Sequence, residues 1–218
     1  MKRFFKYSFL LFSVITLNSC LGMVVDIQMR KDGSVKAVLE YRFSRMGETI
    51  GKLDGNEKWP VIPVGREDWK RTEQRVEGMK VASFSSREDA RDIINKVTLE
   101  FKNTESFLKF LDPTGKRASL ITGEKSNKLH ITLNERPSSQ INSELLDLVR
   151  EVCGGYSFKI SLSAPKNAAI DFTDGEGKQG MPPATAAGSS SGKKAAVSID
   201  TAAIFTAEAG VGVDLIWD

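Results

Sequence analysis

Histidine and cysteine are almost missing from this chain, which has one His and two Cys in 218 residues. That scarcity leaves no zinc site made from protein ligands of the usual kind. The chain is long enough to build a core without staples, so its fold does not depend on disulfides. It has no Gly-rich loop of either nucleotide-binding form and no Gly-x-Ser-x-Gly nucleophile elbow. Internal repeats are absent. A charge excess of one sign is also lacking: the formal net charge of +3 comes from Lys2, Arg3 and Lys6, and residues 20–218 carry as many basic as acidic side chains. A broad electrostatic case for nucleic-acid binding goes with those three residues. Aromatics at 8% and charged residues at 27% are the proportions of a globular protein.

The one long apolar run stands at the start. A basic opening (Lys2, Arg3, Lys6) precedes Phe9 to Leu17, interrupted only by Ser13 and Thr16, which is the layout of a secretory signal peptide. Counted generously from Phe4 to Leu17, the run reaches roughly 21 Å as a helix, short of a ~30 Å hydrocarbon core. The residues that follow, Leu17-Asn18-Ser19-Cys20, resemble the lipobox of bacterial lipoproteins, with Leu at −3 and a small residue at −1. Asn18 at −2 departs from the usual Ala, Ser, Thr or Val, a looseness shared with spirochaete lipoproteins. The resemblance implies removal of residues 1–19 and acylation of Cys20; ordinary cleavage after Gly22, discarding Cys20, is the alternative. Two or three acyl chains at about 0.8 kcal/mol per buried CH₂ anchor stably where one does not. Because an alternating run begins at Val24, the tether spans at most ~14 Å, and the folded domain is expected against the headgroups.

Alternation of period two dominates the rest. Val25, Ile27 and Met29, then Val35, Ala37, Leu39, Tyr41 and Phe43, flank Asp32-Gly33, the pattern of a β-hairpin. The same alternation recurs in Val97, Leu99 and Phe101; in Leu129, Ile131 and Leu133; in Tyr156 through Leu162; and in Val211 through Trp217. Strands are also expected over 79–85 and 117–123. Strands with one wet face imply an antiparallel sheet covered on a single side. Helices are predicted at Arg66–Val76, from Thr104 to before Pro113, and at Ser139–Val152 with Gly154-Gly155 as its stop. The expected fold class is therefore α+β: one antiparallel sheet, one face covered by two or three helices, in a single extracytoplasmic domain over 20–218. Residues 173–194, rich in Gly, Ser, Ala and Pro, read as a flexible surface loop.

Candidate chemistry is sparse. His130 lies between Lys128 and Thr132 on the polar face of its strand and is expected to face solvent. Cys153, at a helix C-terminus, reads as a small buried hydrophobe, with no intramolecular disulfide once Cys20 is acylated. Glu67-Asp68 and Glu88-Asp89 sit at expected helix starts, where they complement the macrodipole. Asp171-x-x-Asp174-Gly175-Glu176 lacks the ligand spacing of a calcium loop, so no metal or other cofactor is expected. The apolar stretch Trp59-Pro60-Val61-Ile62-Pro63 either plugs one end of the sheet or presents Trp59, Val61 and Ile62 to lipid or a partner.

The order of features, lipobox directly into an Asp-Gly hairpin and a closing strand near Trp217, is similar to LppM-type envelope lipoproteins and to uncharacterised spirochaete lipoproteins. The first resemblance implies an α+β extracytoplasmic domain linked to lipid or glycolipid binding. The resulting expectation is a non-enzymatic envelope lipoprotein, periplasmic or surface-exposed and held by acyl chains on Cys20. It binds a lipid, glycolipid or hydrophobic ligand at the membrane surface. A structural or assembly lipoprotein contacting other envelope proteins is the alternative, and a carboxylate-dependent hydrolase a third.

Overall fold

The computed structural model describes residues 21–44, 65–134, 143–174 and 186–218. The Asp-Gly hairpin is present: β1 (Leu21–Met29) pairs antiparallel with β2 (Val35–Ser44), from Leu21 opposite Phe43 to Met29 opposite Val35. Gly33 closes the turn at φ +81°, a left-handed conformation that costs glycine nothing. Asp32 Oδ1 fixes the turn by accepting from the Ser34 N–H (3.0 Å) and hydroxyl (2.7 Å).

The chain continues through α1 (Arg66–Arg75), β3 (Met79–Glu88), β4 (Asp92–Phe101), α2 (Thr104–Leu111), β5 (Ala118–Thr122), β6 (Asn127–Asn134) and α3 (Ser143–Val152). β7 (Ser157–Ser163), β8 (Ala168–Thr173), β9 (Ala187–Ser191), β10 (Lys194–Asp200), α4 (Thr201–Thr206) and β11 (Val211–Trp217) follow. The helix starts have local causes. Asp68 Oδ2 accepts from the Gly65 N–H (3.0 Å) at the head of α1, and Asn103 Oδ1 accepts from the Ser106 N–H (2.9 Å) at the head of α2.

The α+β expectation is overturned. The described residues form a mostly β structure of eleven strands in two sheets, one in the order β3-β4-β2-β1-β7-β10-β9 and one in the order β5-β6-β11-β8. What faces the large sheet is in large part another sheet. Its inward residues Ile27, Ala37, Leu39, Val97, Leu99, Ile160, Leu162 and Val197 share one core with Leu129, Val213, Leu215 and Trp217 of the small sheet. Sheet-on-sheet packing satisfies the same alternation as helix-on-sheet packing, so the pattern alone did not separate them. Helical cover is local: Trp69 of α1 and Phe107 and Phe110 of α2 stack with Tyr41 and Phe101 at ring-centroid distances of 5.1 to 6.5 Å, and Ile204 of α4 packs on Ile199 and Val211 in a second, smaller cluster. Trp69 Nε1 also donates to the buried Tyr41 hydroxyl at 3.1 Å.

Other expectations are corrected too. The large sheet is mixed, because β1 and β7 run parallel. Thr173 belongs to β8, and 187–191 and 194 onward form the β9–β10 hairpin, so the surface loop expected over 173–194 is strand at both ends. Exposed small residues there form ladder bonds without a hydrophobic signature; β9 is exposed along its whole length. Glu88 ends a strand instead of starting a helix, and Asp89 Oδ1 accepts from the N–H groups of Arg91 and Asp92 in the turn that follows. α3 begins at Ser143; residues 139–142 lie outside the described residues.

Candidate functional site

Among the described residues, a concavity lies at one end of the two sheets, where many chain turns meet. It is an open cleft of about 730 Å³ lined by Arg30, Lys31 and Gly33 of the β1–β2 turn, Asn103 and Thr104 at the head of α2, Leu120 and Thr122 of β5, and Asn127 of β6. Glu105 of α2, Pro165 and Lys166 of the β7–β8 turn, Trp217 at the end of β11 and Asp218 complete it. The register explains the convergence. Met29 opposes Val35, Val35 opposes Phe101, and Trp217 opposes both Asn127 and Ala168, which brings these strand ends to one level. That volume falls in the usual range for small-molecule sites.

The cleft is amphipathic. Trp217 and Leu120 give it an apolar floor, and Lys31 and Lys166 stand exposed at its rim. Arg30 is partly occupied by Glu100 at 3.6 Å. The two acidic lining residues are engaged as well: Glu105 pairs with Lys109 at 3.1 Å, and Asp218 accepts from the Asn167 side chain at 2.6 Å. The Lys31 and Lys166 ammonium groups face the opening, and Asp218, whose partner is a neutral amide, keeps its negative charge beside them.

A second polar constellation sits on the outer face of the small sheet. Asp214 is buried on β11, with His130 Nδ1 2.7 Å from one carboxylate oxygen and Lys128 Nζ 3.0 Å from the other; His130 Nε2 lies 3.2 Å from the Thr132 hydroxyl. His130 is therefore not a solvent-facing strand residue. Its side chain is only 16% exposed, because Asp214 sits directly opposite it across the β6–β11 pair. Sequence spacing missed this, since the partner is 84 residues away. The chain Thr132–His130–Asp214 has the connectivity of a hydrolytic triad. The Thr132 N–H, however, donates to the Arg117 carbonyl at 2.7 Å and is not available to an oxyanion. Gly212 lies between these groups: a Cβ there would stand 2.5 Å from Thr173 Oγ1 and 2.9 Å from His130 Cε1, so the site is filled by its own side chains.

Of the residues singled out from sequence, Cys20, Trp59, Val61 and Ile62 lie outside the described residues. Asp171 opposes Asp214 in register, and among the described residues no three His, Cys, Asp or Glu side chains converge as metal ligands. Cys153 is buried, as expected, but it is disulfide-bonded. The sequence offers one other cysteine, Cys20, so the expectation that Cys153 is a simple buried hydrophobe is corrected. Acylation of Cys20 and that disulfide would claim the same sulfur. No helix among the described residues is long and apolar enough to cross a membrane.

No family model and no curated protein matches the chain. Among solved structures, the NMR structure of the folded domain of the Mycobacterium tuberculosis LppM protein superposes with a TM-score of 0.44 at 10% sequence identity, covering 90% of this chain and 88% of that one.

Proposed function

We propose that the protein is a non-enzymatic lipoprotein of the bacterial cell envelope, anchored through acyl chains on Cys20, whose domain binds an amphipathic ligand of the lipid or glycolipid class. The observation that carries the binding part is the cleft with Trp217 and Leu120 beneath Lys31 and Lys166. An apolar chain gains by leaving water for the indole and leucine surface. An anionic headgroup gains from the two ammonium groups at the rim, against the opposing charge of Asp218. The lipobox carries the anchoring part, in which acylation of Cys20 takes the place of the disulfide at Cys153 in the mature protein.

The test is native mass spectrometry and tryptophan fluorescence of the purified protein with lysophosphatidylglycerol, using lysophosphatidylcholine as the neutral-headgroup comparison. Saturable binding of the anionic lipid, weakened in Lys31→Glu/Lys166→Glu, is the expected result. Equal, non-saturable uptake of both lipids would sink the cleft reading.

A second reading, assembly with another envelope protein, is favoured by one feature. Ile121 is 56% exposed on β5, an edge strand of the small sheet, and an open edge with an exposed apolar side chain invites strand pairing. Crosslinking from position 121 in intact cells tests it, with a discrete partner band as the supporting outcome.

A further inference from the structure

The cleft and the expected anchor lie at opposite ends of one strand. β1 begins at Leu21, the residue after Cys20, and runs nine residues to Met29; Arg30 and Lys31, which follow at once, line the cleft. At the strand rise per residue, this separates the two by roughly 30 Å. The other strands agree. Phe43, Ser44, Asp92 and Ser157 share the level of the β1 start, while Val35, Phe101, Ser163 and Trp217 share the level of the cleft.

Little freedom remains to swing the domain about its anchor. Leu21 is already paired with Phe43, so one Cα–Cα step of about 3.8 Å joins the acylated residue to the sheet. The alternating run seen in the sequence begins at Val24, but the ladder starts three residues earlier and removes that slack. The level of the β1 start is polar and suited to headgroups. Arg42 and Arg91 are exposed there, with Arg91 5.2 Å from the centre of the Tyr156 ring. Of the neighbouring acids, Asp92 accepts from the Tyr156 hydroxyl at 2.7 Å and Asp89 is bound to the turn backbone.

We infer that the cleft faces away from the leaflet that holds the protein and loads its ligand in trans, from the aqueous side or a facing surface. This rests on the anchoring and cleft readings above, and it adds a direction to them. The domain stands on its Leu21 end as a pedestal; the Lys31 and Lys166 ammonium groups meet an anionic amphiphile arriving from outside.

The experiment uses the mature protein as processed in cells, reconstituted in phosphatidylcholine vesicles. The probe is NBD-labelled phosphatidylglycerol quenched by a rhodamine lipid, placed either in the protein's own vesicles or in a separate population. A several-fold faster dequenching from the separate population is expected, lost in Lys31→Glu/Lys166→Glu while that variant stays vesicle-bound. Uptake as fast or faster from the protein's own vesicles would overturn the inference and mean that the domain lies flat. Two other outcomes overturn it by removing what it rests on, and they are distinguishable. A mature N-terminal peptide without acyl chains removes the anchor. Acylated protein that takes the probe from neither population removes the cleft reading.

Discussion

His130 Nδ1 and Asp214 Oδ1 stand 2.7 Å apart across the β6–β11 pair, and Lys128 holds the other carboxylate oxygen at 3.0 Å. The Asp214 side chain is 9% exposed, and those of its two partners 16% and 38%. One nearly buried carboxylate therefore organises the outer face of the small sheet. Removing it leaves two groups that can still reach water, which limits the cost.

Asp214→Ala is accordingly expected to lower stability by about 1–2 kcal/mol, measured by urea denaturation. Binding in the cleft should not change, because Asp214 is not among its lining residues. Loss of ligand affinity without loss of stability would tie this network to the site and contradict its structural role.

Gly212→Ala probes the same face by crowding it. The added methyl would meet Thr173 Oγ1 at 2.5 Å, His130 Cε1 at 2.9 Å and the Asp174 carbonyl oxygen at 3.0 Å. Overpacking of this kind costs about 1–3 kcal/mol. The expected result is a lower melting temperature and a displaced His130 imidazole resonance in NMR; an unshifted resonance would mean the sheet relaxes without moving His130.

Acid stability should depend on Asp112. Burial alone would raise its pKa, yet the Thr114 hydroxyl and the N–H groups of Arg117, Ala118 and Thr114 all donate to its carboxylate and hold it well below the usual range. A depressed folded-state pKa contributes stability that is fully present above the unfolded value near 3.8 and is lost as pH falls through the folded one. Unfolding free energies of the parent should therefore fall more steeply below pH 4 than those of Asp112→Asn. The variant should also be less stable at pH 7, by about 2 kcal/mol. Parallel curves for the two proteins would discount the carboxylate.

Alkaline stability should depend on Tyr41. Burial pushes its phenol up to about 12, against the opposing donation from Trp69 Nε1. A raised folded-state pKa gives stability that is fully present below the unfolded value near 10 and is lost as pH rises through 12. Denaturation series at rising alkaline pH should show a steeper loss in the parent than in Tyr41→Phe.

The chemistry at Cys20 is decided by digesting the mature protein without reductant. An acylated peptide beginning at Cys20 supports the anchor. A crosslinked peptide joining Cys20 to Cys153 would overturn it, since one sulfur cannot be both thioether and disulfide. Cys20→Ser should abolish detergent-phase partitioning and leave the β core folded, because the core residues all follow Leu21.

Features that depend on neighbours along the chain were legible in the sequence. Period-two alternation placed β1, β2, β4, β6, β7 and β11, Asp32-Gly33 placed the first turn, and apolar spacing placed α1 and α2. Those signals are local because side-chain direction and turn conformation are set within a few residues. Long-range packing settled which strands join, that a second sheet shares the core with α1 and α2, that β1 lies parallel to β7, and that His130 meets Asp214. It also decided that Lys31, Leu120, Lys166 and Trp217 converge in one cleft. Alternation states that a strand has a buried face and is silent on what buries it. Pairing and convergence are fixed by how the whole apolar surface is most fully removed from water, a property that no short stretch of sequence carries.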